Sequence, residues 1–203
     1  VGKSAKIYMV KGLKCLEKIG VEINRPVQMM LCQRVDSISE AEKKLGLPVA
    51  VEDKYDGERM QIHKKGKEIK LYSRRLDDIT NQFPDVVEQV NKNIKAKNCI
   101  IEGEAVAIDS KGNLLPFQKL MQRRRKYKVE EYVKKIPVCL FLFDLLYLNG
   151  KSYVHKPYFQ RHDALRKIIR ETKNLKLATR TICKNTECIE DFFKGIVKRG
   201  GEG

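Results

Sequence analysis

No apolar run in the sequence approaches the roughly 20 residues that a membrane span needs, and the N-terminus carries no signal-peptide pattern. Neither a membrane helix nor a secretory leader is therefore expected. The 6 cysteines contain no Cys-x-x-Cys pair. Cys15, Cys32, Cys99, Cys139, Cys183 and Cys188 read as buried, reduced thiols, since several sit inside apolar runs, and this favours an intracellular protein. The 3 histidines show no metal-ligand spacing, so no zinc site is expected, and His63 on an alternating stretch reads as structural. Internal repeats and low-complexity tracts are also missing.

Acidic residues are scarce. Asp and Glu number 26 against 42 Lys and Arg, a formal charge of +16, well beyond what solubility requires. Such an excess points to a polyanion, either nucleic acid or nucleotide phosphate. A thermophile-type or simply lysine-rich surface would give the same sum. With 203 residues and 42% hydrophobic content, the chain can build one large domain with a real core, or one domain and part of another.

Apolar periodicity sets the expected organisation. Residues 1–20 carry a basic helical pattern that stops at Gly20, and Asn24-Arg25-Pro26 breaks it. Residues 1–24 are thus expected to be a linker or the tail of a preceding helical domain, and 25–203 a domain of their own. A short helix over 39–47 is expected with Ser39 as its N-cap and Gly46 near its end. Strands follow at 49–53, 59–63 and 69–73, the last two forming a hairpin. Phe83, Val86, Val90 and Ile94 recur at helical spacing, and 99–109 reads as a strand. Pro116 opens a helix whose later portion is the basic run from Arg123 to Lys126. Val138–Leu148 is almost wholly apolar, as for a strand covered on both faces, with Asp144 the one charge. A helix over 158–171, a strand over 175–178 and a final helix bearing Ile189, Phe192, Phe193 and Ile196 complete the chain. Strands and helices mix without a βαβ rhythm, which predicts an α+β domain of largely antiparallel sheets. Both ends, Val1 and Gly203, look like cut points.

The stretch "VEDKYDGERMQIH" places Lys54 at a strand end, where a side chain can be aimed into a cleft. A lysine that attacks phosphorus has to be kept partly neutral by burial or nearby positive charge. Gly57 permits a tight turn or close approach to a phosphate, and Arg59 offers a fork for phosphate or ribose. Glu52, two residues before Lys54, shares its face. A bare K-x-D-G tetrapeptide more often marks a solvated turn with surface ion pairs. The balance shifts with the blocks that follow it.

Lys54-Tyr55-Asp56-Gly57-Glu58-Arg59 resembles the nucleotidyl-transfer motif of ATP-dependent DNA ligases, and "LYSRRLDDITNQFPDV", "IIEGEAVAID", "PFQKLMQRRRK", "FLFDLLYLNG" and "RGGEG" resemble further blocks of that family in the family's order. The likeness covers roughly residues 25–203 and is nearest to archaeal members. It implies a nucleotidyltransferase (ATP-grasp-like) fold of antiparallel sheets flanked by helices, incomplete at its C-terminus, with Lys54 as the residue that bonds covalently to AMP. By the same resemblance Glu52 contacts the adenine edge, Phe143 lies beside the base, and Arg59 and Arg74 grip phosphate or ribose. Glu104 and Glu202 would hold Mg²⁺ or ribose hydroxyls. Phe143 in an apolar run could equally be core. Arg123, Arg124, Arg125 and Lys126 would contact the backbone of duplex DNA, or form a solvated helical face. ATP, Mg²⁺ and nicked double-stranded DNA are the implied cofactors and partner, with a sliding clamp possible through regions outside the chain. A GTP-dependent mRNA-capping guanylyltransferase, an RNA ligase and a catalytically silent nucleic-acid-binding module are the competing expectations.

Overall fold

Alternation from residue 58 onward builds the centre of the molecule, seen in a computed structural model that describes residues 20–123 and 127–198 together with Met9 and Gly201. Strand β2 (Glu58–Lys65) lies between β3 (Glu68–Ser73) and β4 (Asn98–Ala107), antiparallel to both. The long β5 (Val138–Leu148) follows against β4, and the short β6 (Lys151–Ser152) pairs with β5. The sheet order is β3-β2-β4-β5-β6, and β7 (Leu175–Leu177) joins β5 in parallel. A separate two-stranded sheet pairs β1 (Val49–Glu52) with β8 (Arg180–Cys183). The fold is therefore α+β with antiparallel sheets flanked by helices, β5–β7 being the parallel exception.

Helices cover one face of the large sheet because their apolar stripes match its inward side chains. Val86 and Val90 of α2 (Pro84–Asn93) and Leu165 and Ile168 of α5 (Tyr158–Ile168) join Met60, Ile62, Ile101, Leu140 and Leu142 in one buried cluster. Each such side chain contributes roughly 1.5–3 kcal/mol on burial. The other face of β5 carries a smaller cluster of Val106, Ile108, Cys139 and Phe141, with Tyr55 packed against it. The first half of β5 is thus covered on both sides, as its apolar run implies.

The polar face of β2 is buried too, which alternation alone would have left in solvent. Residues 24–30 lie across it and are held by side chains rather than by a strand ladder. Gln61 accepts from the Val27 amide at 2.9 Å and donates to the Val27 carbonyl at 3.1 Å. His63 accepts from the Asn24 amide through Nδ1 at 2.9 Å. Its Nε2 meets Gln61 Oε1 at 3.0 Å, so the Nε2–H tautomer satisfies both contacts. Burial pushes the His63 imidazole down to about 4.

Several boundaries differ from the sequence reading. The first described helix, α1, is Ile38–Leu45, and its N-cap is Ser37 rather than Ser39. The Ser37 hydroxyl accepts from the Glu40 amide at 3.1 Å while the Glu40 carboxylate accepts from the Asp36 amide at 3.0 Å. Helix α3 (Phe117–Met121) ends before the basic run, and a helix absent from the expectation, α4 (Val129–Lys135), follows it. Helix α5 stops at Ile168 because the next residues bridge back to the end of α2, where the Arg170 amide donates to Asn93 O at 2.9 Å. Strand β8 was also missed.

The reduced-thiol expectation is corrected at one pair. Cys183, at the end of β8, and Cys188, in α6 (Thr186–Lys198), form a disulfide with Cα atoms 5.4 Å apart. A strand-to-helix turn brings the two within bridging range. Cys99 and Cys139 are buried thiols, pushed up to about 12 and about 11 by burial, while Cys32 is exposed. Cys15 lies outside the described residues, as does nearly all of the helix expected over 1–20.

Candidate active site

The turn from β1 into β2 carries Lys54, and its neighbours are fixed on every side. The Asp53 amide donates to Thr179 O at 3.2 Å. Tyr55 stacks on Phe141 with ring centroids 4.1 Å apart and exchanges hydrogen bonds with Thr179 at 3.1 and 3.2 Å. Asp56 accepts from the Phe117 amide at the start of α3 at 3.0 Å. Gly57 is needed for packing rather than for a turn, since a Cβ there would drive into the carbonyl oxygen of Ala105 on β4. Lys54 is exposed on this fixed scaffold and lines a cleft of about 1470 Å³.

The cleft gathers most of the residues singled out from the sequence. Glu52, Arg59, Arg74, Glu104 and Phe143 all line it with Lys54, from five different segments. Arg59 and Glu104 face each other in the register of β2 and β4. Phe143 is half-buried rather than part of the core, and the Arg59 guanidinium sits 5.3 Å from its ring centre. Arg74 is exposed at the tip of a turn that closes when the Ser73 hydroxyl accepts from the amides of Arg75 and Asp77, each at 3.2 Å.

Charge inside the cleft is unevenly compensated. Arg59 donates to Glu102 at 2.7 Å and to the Met30 carbonyl at 3.2 Å. Glu102 also accepts from Gln61 at 3.0 Å, so it is fully engaged. The Glu104 side chain has no hydrogen bond to another described residue. Burial pushes its carboxyl up to about 7, an effect that Arg59 and Lys54 oppose and Glu58 reinforces. Glu52 is raised as well, chiefly by burial. Its Oε1 accepts a short hydrogen bond from the Tyr158 hydroxyl, and Arg180, its partner in the β1–β8 register, lies 5.0 Å above the Tyr158 ring.

Arg123 requires a correction. Its side chain is 0% exposed and pairs with Asp85 at 2.6 and 3.0 Å while lying 4.8 Å over the Phe83 ring. This arginine anchors the segment after α3 to α2 and is not presented to a phosphate backbone. Arg124, Arg125, Lys126 and Glu202 lie outside the described residues.

Sequence reasoning passed over Tyr55, Glu102, Tyr158, Thr179 and Arg180. Glu102 alone carried a local signal, because it precedes Glu104 by two residues and so shares its face on β4. Among the described residues no group of three or more His, Cys, Asp or Glu side chains could by itself hold a metal ion. No described helix is long and apolar enough to cross a membrane.

This architecture is found in solved nucleotidyltransferase domains. The ligase domain of LigD from M. tuberculosis superimposes with a TM-score of 0.55 at 25% identity, covering 76% of this chain and 46% of that one. A mycobacterial DNA ligase D complexed with ATP and MES shares the fold with a TM-score of 0.54 at 24% identity, covering 76% of this chain and 46% of its own. The sequence model of the ATP dependent DNA ligase domain matches residues 29–203. The chain belongs to the ATP-dependent DNA ligase family. DNA ligase 1 of Methanosarcina barkeri is 45% identical over 210 residues, which take in 100% of this chain and 38% of the relative. The DNA ligase of Sulfophobococcus zilligii is 47% identical over 204 residues, 100% of this chain and 34% of its own length. The chain thus spans little more than a third of the curated relatives it matches.

Proposed function

We propose that the chain is the adenylation domain of an ATP-dependent DNA ligase and that Lys54 is its nucleophile. The observation that carries the reading is the placement of Lys54. It stands on a turn pinned by Thr179, Phe141 and the start of α3, and it faces a cleft that already holds an aromatic side chain, two arginines and a half-buried glutamate. The Lys54 amine attacks the α-phosphorus of ATP, an N–P bond forms, and the bond to the β-phosphate oxygen breaks as pyrophosphate leaves. AMP then passes to the 5′-phosphate of a DNA nick, and the 3′-hydroxyl displaces it to seal the strand. Each transfer is an in-line displacement that depends on positioning and charge neutralisation.

Within the cleft Phe143 offers a face to the purine and Glu52 an acceptor to its edge, held in place by Tyr158. Arg59 and Arg74 orient the ribose and phosphates. The donor set fits Mg²⁺, which binds through one or two carboxylates plus substrate phosphates rather than an all-protein cage. Glu104 would hold it, together with Glu202 outside the described residues, since the Glu104 carboxylate is half-buried, lines the cleft and accepts no side-chain hydrogen bond among the described residues. Bound there, Mg²⁺ would neutralise charge on the transferring phosphate.

Nicked duplex DNA as substrate, a sliding clamp as partner, and an intracellular setting, cytoplasmic in an archaeon, belong to the same reading. Archaeal ligases such as that of Methanosarcina barkeri support it. The reading is tested by incubating the protein with Mg²⁺ and either ATP or GTP and locating any attached nucleotide by peptide mass spectrometry. AMP on Lys54 is expected, and GMP there instead would assign the chain to capping-type chemistry.

A further inference from the structure

The end of the large sheet opposite the cleft gathers lysines and arginines from three separate stretches of sequence. Strand β2 leaves the cleft at Glu58 and reaches the hairpin turn at Lys65, where Lys65 and Lys67 are exposed. Eight residues at about 3.3 Å each put this end roughly 25 Å from the cleft. Helix α2 finishes beside it, and exposed Lys92, Lys95 and Lys97 lead from its last turn into β4. Helix α5 finishes there as well, tied by the Lys95 amide donating to Ile168 O at 2.7 Å. Arg166, Lys167 and Arg170 surround that junction, all exposed.

The end of α2 does not account for the lysines beside it. Basic residues in a last helical turn commonly complement the terminal carbonyls. At α2 a different group already does so: Lys64, buried, donates to Asn91 O at 3.3 Å and to Ile94 O at 3.1 Å. The surface lysines at the end of α2 are therefore in excess. Elsewhere on the molecule Lys44–Glu40, Lys70–Asp78 and Lys194–Glu190 are ion pairs. At this end only Lys92 is paired among the described residues, with Glu88. Eight exposed cations converging from distant parts of the chain outnumber the carboxylates among them, Glu68 opposite Lys65 and Glu88 beside Lys92, and present a net positive field suited to a regularly spaced polyanion.

We infer that this end of the sheet is a second contact surface for the phosphate backbone of duplex nucleic acid, apart from the cleft. The inference does not depend on the adenylation chemistry. It needs neither ATP nor a nick, and so it is tested on a continuous duplex.

The variant Lys65→Gln, Lys67→Gln, Lys95→Gln, Lys97→Gln is compared with a control of equal charge loss, Lys43→Gln, Lys44→Gln, Lys194→Gln, Lys198→Gln. Fluorescence anisotropy with a labelled duplex of about 20 base pairs is read between about 50 and 200 mM salt. The first variant is expected to bind at least about tenfold more weakly, with a salt dependence flatter by about 3.6 in log–log slope, four phosphate contacts at about 0.9 each. The control should change affinity by no more than about threefold. Thermal unfolding confirms that both fold; should the fourfold variant not, Lys65→Gln with Lys67→Gln alone is expected to flatten the slope by about 1.8. Equal losses in both variants, an unchanged slope, or no duplex binding by the parent protein would overturn the proposal. So would loss of binding to polyglutamate with duplex binding intact, which would make the surface a site for an acidic protein.

Discussion

Arg59 on β2 and Glu102 on β4 form an ion pair of 2.7 Å in which the glutamate side chain is only 4% exposed. The same arginine holds the Met30 carbonyl and overlies Phe143, so one guanidinium ties the segment before α1, the central strands and the cleft floor together. Removing one partner of such a pair leaves an uncompensated charge, which costs more than the pair itself contributes. Arg59→Ala is therefore expected to lower stability by about 3–5 kcal/mol in urea unfolding. Arg59→Lys, which keeps the charge but not the fork, should recover less than half of that loss.

Arg123→Ala should behave as a core mutation. With Asp85 left facing an empty position and Phe83 uncovered, a loss of about 3–5 kcal/mol is expected. Duplex affinity of the folded variant should not change. A drop in duplex affinity at unaltered stability would restore Arg123 to the DNA-contacting surface.

Glu104 links stability to pH. Its carboxyl is raised from 4.5 to about 7 in the folded protein, with burial as the main cause. The proton is held more tightly in the folded state, so its stabilising contribution is complete below about 4.5 and is lost as pH rises through about 7. Glu104→Gln should thus gain stability relative to the parent at pH about 8 but not at pH about 4.5, by up to about 3 kcal/mol without nucleotide. Equal differences at the two pH values would show that the carboxyl is not perturbed.

Gln61→Leu should release the segment laid across β2. The Val27 amide and carbonyl both lose their partner, Glu102 loses a donor and the His63 Nε2–H loses its acceptor. At about 1 kcal/mol or more for each group left unsatisfied, a loss of about 4 kcal/mol is expected. Hydrogen exchange reports it directly: the amides of Asn24 and Val27 should exchange faster in the variant while the β2–β4 ladder stays protected.

Much of this was legible in the sequence for identifiable reasons. The alternation from 58 to 73 and the apolar run at 138–148 report local periodicity, and both produced the strands expected of them. The ordered blocks around Lys54, Ser73-Arg74, Glu104 and Phe143 converge on one cleft because the pairing of β3, β2, β4 and β5 brings Glu104 opposite Arg59 at the start of β2, close to the turns that carry Lys54 and Arg74. What stayed hidden depends on contacts between distant segments. Arg123 reads as surface until Asp85 is placed 38 residues upstream beside it. The Tyr158–Glu52 hydrogen bond spans 106 residues, and β8 acquires its identity only by pairing with β1. His63 reads as structural from its alternating stretch, but nothing local announces that residues 24–30 return to cover it and Gln61.

The most direct test of the account is nucleotide attachment at Lys54. With Mg²⁺ and ATP, peptide mass spectrometry should find AMP on Lys54 alone, and Lys54→Ala, folded to the same extent, should carry none. Folded parent protein that gains no nucleotide, or that gains it on another lysine, would contradict the account.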